Sequence, residues 1–418
     1  MKVLVIGTNV PTKDFRGIGG AGKAAIMLSE YLAKIGTDVY VLPWVSGRFK
    51  SFFIKPLKVN NVNYIVGVMS AKLFREIVRE FFRGRFLKPT KYVNGIFNKL
   101  KVALSVLLNY AYIELVLSTF DVDIVHIHGL RPVEMPFIEV ITERNFPLVV
   151  TLHGLASNDL SVKFKARELE NDIFSLLASK KCTLLTSVSS KVKEEIIDRY
   201  NVNPEKVRVI LNGVDHEKFQ LLTDKKKLRE SLKLPVDKIV LLQVGTLSKR
   251  KNQVSVLKML LQLEPELRNK IYYVIAGDGP EKKSLEHFCE ENGISNCRIF
   301  GFIDTKTLIK LYNASDFLIH PAYAEGLPLV FLEALSAGLP IITFRDLHGV
   351  RDIYSPDCMA LIPERSIDAM VNTLKDAINR QWDRKKIKSW ARRFSWENVA
   401  QKYLRLYQEV IHCKKWKS

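Results

Sequence analysis

The chain alternates apolar, strand-like runs with amphipathic helical stretches, and this alternation constrains its fold more than any other feature. One series of strands begins with KVLVIG at residues 2–7 and continues through DVYVLP, DIVHIHG, LVVTLHG and TLLTSVS. A second series begins with KIVLLQVG at residues 238–245 and continues through IYYVIAGDG, RIFGFI, DFLIHP and PIITF. Apolar strands separated by helices are typical of parallel sheets covered on both faces. The sequence therefore predicts an α/β protein of two doubly wound domains that face a cleft.

The border between the predicted domains falls near NVNPEKV or just after NGVDHEKF. We assign residues 1–205 to the N-terminal domain and residues 206–395 to the C-terminal domain. The five cysteines form no C-x-x-C pair and no histidine cluster accompanies them, which argues against a zinc site or a disulfide framework. A reducing cytoplasm is the simpler interpretation. The first residues, MKVLVIGTN, predict a strand and not a signal peptide.

Residues 16–25, RGIGGAGKAA, form a glycine loop between the first strand and the first helix. Gly17, Gly22 and Lys23 have the spacing of a phosphate-binding P-loop, but Ala24 stands where that motif requires Ser or Thr. Without that hydroxyl a magnesium ligand is missing, so ATP hydrolysis is excluded. Backbone N–H groups at a helix start still bind anions, which leaves phosphate binding or a tight strand-to-helix turn as alternatives.

Basic residues concentrate near the N-terminus. Of a net charge of +20, residues 1–120 contribute +12, from 18 basic and 6 acidic side chains. The densest stretch, residues 72–101, interleaves Arg and Lys with Phe, Leu and Ile. A solvated helical face and a basic amphipathic surface on an anionic membrane both fit this pattern. Nucleic acid is the third alternative, but no nucleic-acid motif accompanies the charge.

The segment that follows, VALSVLLNYAYIELVLS at residues 102–118, is the most apolar of the chain. Asn109 and Glu114 interrupt it, and it falls short of the ~20 apolar residues that a membrane-spanning helix needs. We predict a buried helix.

The strongest functional motif is HPAYAEGLPLVFLEALSAGLPIITF at residues 320–344. Glu325 and Glu333 are separated by seven residues, and Gly326 and Pro328 lie where a helix should begin. The loop amides would then point at the phosphates of a ligand, with Glu333 two turns further along. Carboxylates near a helix start often act only on the helix dipole. Two of them around a turn at the carboxyl end of a strand favour a ligand site.

This E-x7-E motif, followed by ALSAGLPII, resembles the signature of the retaining GT-B glycosyltransferases of family 4. The likeness extends to the glycine loop and to the segments DVDIVHIHG, VVTLHG, ILNGVDHEKF, VGTLSKRKN and AGDGPEKKSLE. It also includes the C-terminal FSWENVAQKYLRLYQEV, so residues 396–418 are expected to cross back to the N-terminal domain. The resemblance implies the GT-B fold, with two Rossmann-like domains.

The resemblance also implies roles for individual residues on the donor side. Glu325 would contact the hydroxyls of the sugar and Glu333 the ribose of the nucleotide. Lys251 would neutralise the departing diphosphate, with Arg250 beside it, and His153 would lie at the donor sugar. The backbone around the turn would approach the sugar and phosphates through Gly326, Leu327, Leu329 and Val330.

On the other side of the reaction, the resemblance places Gly20 between the donor diphosphate and the acceptor, and Gly19 and His128 on the acceptor side. A structural role for His128, as for His126, is the alternative. The chain departs from the family at Thr246, which follows Gly245 in VGTLSKRKN at the position where the family usually has an arginine. Either Arg250 or the helix dipole compensates, or the diphosphate is held less tightly.

Residues 121–123, DVD, are similar to the D-x-D metal motif of the other large glycosyltransferase fold. These aspartates precede a strand, whereas a ligand site belongs beyond the carboxyl ends of strands. We therefore expect no metal and no other cofactor, as the resemblance also implies.

The resemblance implies a retaining glycosyltransferase that moves a sugar from a nucleotide sugar to a hydroxyl group. The basic N-terminal half favours a lipid-linked or membrane-proximal acceptor in glycan or polysaccharide assembly, and a cytoplasmic protein in peripheral contact with anionic membrane. A nucleotide-sugar epimerase of similar fold and a non-catalytic, basic surface-binding protein are the alternatives.

Overall fold

The computed structural model describes residues 1–43, 55–66, 71–159, 162, 164–222 and 224–415. The chain forms two compact units, one of Met1–Leu211 with Trp396–Ser418 and one of Asn212–Ser395. The first border lies six residues beyond the predicted residue 205, because Val207–Val209 form the last strand of the first sheet. The chain returns to the first unit at Trp396, and residues 416–418 lie outside the described part.

The strands alternate with helices along both units, as the two sequence series predict. The strands are β1 (Lys2–Ile6), β2 (Asp38–Leu42), β3 (Lys55–Val59), β4 (Val62–Val66), β5 (Ile124–His128), β6 (Leu148–Leu152), β7 (Thr183–Ser187), β8 (Val207–Val209), β9 (Ile239–Val244), β10 (Ile271–Ala276), β11 (Cys297–Gly301), β12 (Phe317–His320), β13 (Ile341–Phe344) and β14 (Met359–Ile362).

The described helices include one that ends the chain and returns it to the N-terminal unit. They are α1 (Gly20–Lys34), α2 (Ala71–Arg83), α3 (Ile96–Thr119), α4 (Met135–Glu143), α5 (Ala166–Ala178), α6 (Ser190–Tyr200), α7 (Lys225–Ser231), α8 (Gln253–Gln262), α9 (Pro265–Asn269), α10 (Lys282–Glu291), α11 (Thr305–Ala314), α12 (Leu329–Ser336), α13 (Val350–Ile353), α14 (Ile367–Asn379), α15 (Arg384–Ala391) and α16 (Trp396–Lys415). Short 3₁₀ helices occupy Lys13–Phe15, Arg85–Tyr92, Ala156–Asn158, Pro204–Lys206, Lys249–Lys251 and Arg392–Phe394.

The N-terminal unit is built on an eight-stranded sheet of order β3-β4-β2-β1-β5-β6-β7-β8. All neighbouring strands are parallel except β3 and β4, which pair as an antiparallel hairpin, so the edge strand β3 runs against the rest of the sheet. This hairpin has no clear strand pattern in the sequence. KPLKV in β3 carries two lysines and a proline, a composition tolerated at a sheet edge and weak as a strand signal.

Helix α3 includes the apolar segment predicted as a buried helix, and it begins six residues earlier, at Ile96. It is long and apolar enough to cross a membrane, but 61% of its most apolar window is buried inside the structure. Its two interrupting polar residues are both buried and bonded: Asn109 donates to the carbonyl of Val133, 2.7 Å away, and Glu114 pairs with Arg144. The C-terminal half of α3 is thus part of the core of this unit.

Helix α16 completes the N-terminal unit from the end of the chain. It packs along α1 and against β6. Its buried Tyr407 lies 2.6 Å from Nδ1 of His126, and the hydroxyl of Tyr403 lies 3.0 Å from that of Thr151. These contacts tie the helix to side chains of β5 and β6 inside the core.

The C-terminal unit is a six-stranded parallel sheet of order β11-β10-β9-β12-β13-β14. Its central strands β9 and β12 are almost completely buried, as expected for a parallel sheet with helices on both faces. Where the chain enters and leaves this unit, the Val214 amide donates to the carbonyl of Phe394 at 2.8 Å. The carboxyl ends of its strands carry the candidate site.

Candidate active site

Two loops that follow neighbouring strands of the C-terminal unit are fastened together by backbone contacts. The loop after β9 contains Lys249–Lys251, and the loop after β12 contains Ala324 and Glu325. The amide of Tyr323 donates to the carbonyl of Arg250 at 2.8 Å, and Nη1 of Arg250 donates to the carbonyl of Ala324 at 2.8 Å. Because β9 and β12 are adjacent in the sheet, residues 74 positions apart become direct neighbours.

Glycines allow these loops to approach each other closely. Gly245 has φ +145°, and a Cβ there would lie 3.4 Å from the Cε of Lys251. Gly277, with φ +156°, follows β10, and a Cβ on it would lie only 1.8 Å from the carbonyl oxygen of Gly245. A side chain at Gly277 would clash with the backbone of the neighbouring loop, whereas at Gly245 the cost would be the backbone strain of its positive φ.

The three charged residues Arg250, Lys251 and Glu325 meet at this edge of the sheet. The ammonium of Lys251 pairs with Oε1 of Glu325, and Nη1 of Arg250 lies 3.0 Å from the same oxygen. The Lys251 and Glu325 side chains are only 11% and 12% exposed, whereas the Arg250 side chain is 29% exposed. Two cations share one carboxylate, so the cluster carries a net positive charge at the carboxyl end of a parallel sheet.

His320, the last residue of β12, lies directly beneath this cluster. It is fully buried, and its Nε2 is 3.6 Å from Oε1 of Glu325. Burial lowers the pKa of His320 to about 4, against the opposing effect of Glu325, so the ring is neutral at pH 7. Burial alone would raise the pKa of Glu325, but Lys251, His320 and Arg250 together hold it well below its usual value. Glu325 is therefore an anion under all ordinary conditions.

Polar side chains in the core of the unit hold the first loop from below. Nε2 of Gln243 donates to the Lys251 carbonyl at 2.8 Å, and the hydroxyl of Tyr273 donates to Oε1 of Gln243. The Asn252 side chain donates to the carbonyl of Pro321 at 3.1 Å. These buried hydrogen bonds fix the backbone on which Lys251 stands.

The turn after Glu325 leads directly into α12. Gly326 and Leu327 are buried in this turn, and the Asn212 side chain donates to the carbonyl of Leu327 at 2.9 Å. Pro328 is the N-cap of α12, and Leu329 and Val330 are half-buried in its first turn. This is the strand–turn–helix arrangement that the motif predicts.

Glu333 lies on the buried side of α12. It is 4% exposed, and its Oε2 accepts a hydrogen bond of 2.8 Å from the hydroxyl of Tyr312. Burial and the neighbouring Glu333 raise the pKa of Tyr312 well above its usual value, so this phenol remains a donor. The bond fixes the orientation of the carboxylate.

Thr246 is exposed, and nothing in its own contacts replaces the arginine expected at this position. Its carbonyl accepts a hydrogen bond from Gln253, whereas Arg250 lies against Glu325 and beside Lys251. Arg250 is therefore the second cation of this cluster.

In the N-terminal unit, the glycine loop leads into α1 with Gly19 as the N-cap and Gly20 as the first residue. A Cβ at either glycine would meet no described atom within 4 Å. Gly22 has a different role, since a Cβ there would lie 2.9 Å from Ile18 and 3.3 Å from the Thr8 hydroxyl. The helix begins at Gly20, within the glycine loop itself.

The histidines predicted for this unit lie close together at the ends of β5 and β6. Nδ1 of His128 is 3.0 Å from Nε2 of His153, with the rings stacked. The His126 ring centroid is 4.2 Å from that of His128. Burial lowers the pKa of His153 to about 4 and that of His126 to about 3, with His128 also well below its usual value. All three rings are neutral at pH 7.

The DVD aspartates are engaged at the opposite ends of the strands. Asp123 accepts a hydrogen bond of 2.7 Å from the backbone amide of Lys2, and Asp121 lies 3.5 Å from the ammonium of Lys2. Among the residues that the structure describes, no three His, Cys, Asp or Glu side chains are grouped as a metal site would require.

Sequence reasoning missed several residues that support the candidate site. His320, Gln243 and Tyr312 are buried polar side chains on β12, β9 and α11, each hydrogen-bonded to or near a residue of the motifs. A histidine that ends an apolar strand directly before the E-x7-E motif was the available signal. Gln243 and Tyr312 have no local pattern that distinguishes them from other polar residues of a strand or a helix.

Two family models match the chain. Residues 18–218 match the model described as Glycosyltransferase Family 4, and residues 224–394 match the model described as Glycosyl transferases group 1. An Escherichia coli UDP-Gal:alpha-D-GlcNAc-diphosphoundecaprenol alpha-1,3-galactosyltransferase is 30% identical over 60% of this chain and 65% of its own length. An alpha-monoglucosyldiacylglycerol synthase of Streptococcus pneumoniae is 26% identical over 55% of this chain and 52% of its own length. The matched segments thus span less than two thirds of these relatives.

The fold is shared with solved structures over almost the whole chain. The Anabaena protein HepE in complex with UDP and glucose superposes with a TM-score of 0.71 at 17% identity, covering 98% of this chain and 99% of that one. A likeness at this identity shows the fold, which is the GT-B fold.

Proposed function

The chain belongs to the group 1 glycosyltransferases of family 4, and we propose that it moves a sugar from a nucleotide-sugar donor to a hydroxyl acceptor, with retention at the anomeric carbon. The observation that carries this proposal is the cluster of Arg250 and Lys251 around Glu325 at the carboxyl edge of the second sheet. Open α/β sheets bind their ligands at this edge.

In the proposed site, Lys251 and Arg250 bind the diphosphate and Glu325 accepts hydrogen bonds from hydroxyls of the sugar. Glu333, whose carboxylate is oriented by Tyr312, binds the ribose. The backbone from Gly326 to Val330 approaches the sugar and the phosphates at the start of α12. The family resemblance assigns His153 to the donor sugar, and Gly19, Gly20 and His128 to the acceptor side.

The proposed reaction breaks the bond between the anomeric carbon and the diphosphate oxygen, which leaves with the electron pair. The acceptor oxygen bonds to the same carbon on the same face, and its proton passes to the departing phosphate. Negative charge on the diphosphate grows as that bond breaks. The two preorganised cations are therefore worth more in the transition state than in the ground state, which is the condition for catalysis.

We propose further that the reaction needs no metal ion, because the Arg250–Lys251 pair supplies the positive charge that a metal would otherwise bring to the diphosphate. The acceptor is proposed to be lipid-linked, in glycan or polysaccharide assembly. Two relatives whose names specify lipid-linked substrates support this, namely the galactosyltransferase of E. coli and the glucosyldiacylglycerol synthase of S. pneumoniae. A cytoplasmic, membrane-peripheral location would follow from such an acceptor.

The proposal is tested first by thermal unfolding of the full chain with a panel of UDP-, GDP- and ADP-sugars. A donor at 100 times its Kd stabilises the native state by about 2.7 kcal/mol, which is a measurable rise in Tm. The sugar that raises Tm is then offered with acceptor lipids, and the anomeric configuration of the product is read by NMR. An inverted product, or conversion of the donor to its epimer without transfer, would contradict the proposal.

Lys251→Ala is the matched variant for the binding test, with Lys249→Ala as its control. Lys249 is exposed in the same short helix, and no ion pair is recorded for it within the described residues. Loss of the Tm shift in both variants alike would contradict the role given to Lys251.

A further inference from the structure

Large apolar side chains are exposed in one region of the N-terminal unit far more than elsewhere. Of the fifteen exposed large apolar residues in the described structure, nine lie between residues 74 and 104. They are Phe74, Val78, Phe81, Phe82, Leu87, Ile96, Phe97, Leu100 and Leu104. Phe82 and Phe97 are 82% and 83% exposed, although burial is the norm for phenylalanine. We call the exposed side chains of residues 71–104 the 71–104 surface.

Helix α2 has three faces of different character. Leu73 and Glu80 are buried towards the rest of the unit. Phe74, Val78 and Phe81, spaced four and three residues apart, form an exposed apolar row. A third strip carries the basic residues Lys72, Arg75, Arg79 and Arg83. A helix with an outward apolar row beside a basic strip is typical of helices that lie in a membrane interface.

The first turns of α3 repeat this pattern. Ile96, Leu100 and Leu104 are spaced four residues apart and exposed, with Phe97 beside them, and Lys99 and Lys101 flank the row. Helix α3 packs against α2, so the two exposed rows belong to neighbouring helices. Apolar rows on a folded surface mark a contact site when they are grouped in this way.

The basic residues of the segment divide into two groups. Arg79, Arg83 and Arg85 pair with the buried carboxylates of Glu80 and Glu114, so their charge is used inside the unit. Lys91 likewise pairs with Asp172. The remaining five are exposed, and none has an ion pair recorded within the described residues: Lys72, Arg75, Lys88, Lys99 and Lys101. The outward charge of the 71–104 surface is therefore basic.

The exposed apolar rows and the outward basic charge together indicate which kind of partner this surface binds. A second copy of the chain would bring five unpaired cations against five others, since a two-fold interface sets the same patch against itself. Nucleic acid would satisfy the charge and would stack bases on the phenylalanines, but it would gain nothing from the aliphatic side chains Val78, Leu87, Ile96, Leu100 and Leu104. An anionic bilayer satisfies both, because phosphate headgroups meet the basic strip and acyl chains meet the apolar rows.

We propose that the 71–104 surface docks the protein on an anionic membrane by inserting its apolar rows, with Phe82 and Phe97 entering deepest. The helices lie in the interface and do not cross the bilayer, because α3 is held in the core through Glu114 and Asn109. The docking extends the lipid-linked acceptor proposed above, but it is independent of transfer and can be tested without it.

The test is co-sedimentation of the full chain with vesicles of phosphatidylcholine alone and with one third phosphatidylglycerol. Phe82→Ser with Phe97→Ser should weaken binding to the anionic vesicles by roughly 100-fold, since each largely exposed phenylalanine that enters apolar surroundings is worth at least tenfold. The matched control is Val236→Ser with Tyr354→Ser, two exposed apolar residues of the other unit. That control should bind as the wild type does.

Lys72→Glu with Arg75→Glu isolates the basic strip. It should lower the ratio of anionic to neutral binding by at least 25-fold, because each basic residue near the surface contributes about fivefold. Lys283→Glu with Lys306→Glu, exposed in the other unit, is the control for net charge. In high salt the wild type should keep a residual affinity that the phenylalanine variant lacks, since apolar insertion is not screened.

Wild-type binding by the phenylalanine variant would overturn the proposal. The proposal would also be overturned if the wild type did not bind vesicles and instead formed a dimer or bound single-stranded nucleic acid, and if these variants abolished that interaction. All variants are also assayed for the Tm shift with the donor sugar, which should be unchanged. If no nucleotide sugar binds the wild type, the proposed function fails while the docking result stands by itself.

Discussion

Glu325→Gln should tighten the binding of a nucleoside diphosphate even though it removes a proposed contact to the sugar. The carboxylate of Glu325 is the shared counterion of Lys251 and Arg250. Any diphosphate that binds these cations must come close to the same negative charge. Removing that charge leaves the cations for the ligand, so the affinity for the diphosphate alone should rise.

The size of this effect follows from the geometry. Nη1 of Arg250 is 3.0 Å from Oε1 of Glu325, so a phosphate oxygen on the far side of the cation lies about 6 Å from the carboxylate. Two unit charges at that distance repel by about 3 kcal/mol at an effective dielectric constant of 20. The exposed part of Arg250 lets solvent screen this value, so we expect a gain of about 1–3 kcal/mol, or roughly 5- to 150-fold in Kd.

Calorimetric titration of the diphosphate that raises Tm, in wild type and Glu325→Gln, measures this gain. Glu364→Gln, which removes an exposed carboxylate of the same unit, controls for net charge. Transfer by Glu325→Gln should nevertheless be slower, because its contact with the sugar is lost. Unchanged or weaker binding of the diphosphate would mean that Lys251 and Arg250 do not contact the phosphates.

The same variant should be less stable, by about 2–4 kcal/mol, because Lys251 is left almost buried without its partner. The pH dependence of this stability difference has a definite sign. Since the pKa of Glu325 is held below its usual value, its contribution to stability is complete above about pH 4.5 and is lost as the pH falls further. Urea unfolding should therefore show a constant difference between the two proteins at pH 5–8, and a smaller one below pH 4.5.

Four further outcomes are expected. Lys251→Ala should lower kcat about 10²–10³-fold, whereas Lys249→Ala should not, as measured by steady-state transfer assays. Transfer should persist in excess chelator, and a loss that Mg²⁺ or Mn²⁺ reverses would contradict metal independence. Gly277→Ala should lower the free energy of unfolding in urea by at least about 3 kcal/mol, because its Cβ would lie 1.8 Å from the Gly245 carbonyl oxygen. Gly293→Ala is the control and should lower it by about 1–2 kcal/mol, because φ is +62° there but a Cβ would meet no clash. The free energy of unfolding in urea should also fall between pH 7 and pH 5, by about 2 kcal/mol for each buried neutral histidine. In this range the histidines bind protons in the unfolded chain but stay neutral in the folded chain, where burial lowers their pKa.

The sequence predicted those parts of the fold and site that depend on local pattern. Alternation of strands and helices placed Lys251 and Glu325 after the carboxyl ends of strands, and adjacency of such ends in a parallel sheet brings them together. The partners that tune them were not predictable, because the positions of His320 and Gln243 depend on which strands neighbour each other. For the same reason, the number of basic residues in the sequence overstates the charge at the surface. Arg79 and Arg83 count as surface charge in the sequence, but in the structure they neutralise Glu80 and Glu114.

The return of α16 to the N-terminal unit has a consequence for how the chain folds as it is synthesised. The C-terminal unit is continuous in sequence, and the segments that enter and leave it are joined side by side through Val214 and Phe394. It can fold as soon as residues 212–395 have left the ribosome. The N-terminal unit, although made first, lacks Tyr403 and Tyr407 until the last helix emerges, and it must wait with His126 and Thr151 uncovered. The order of synthesis is thus reversed in the order of completion, and the unit that is made first exposes part of its core for longest.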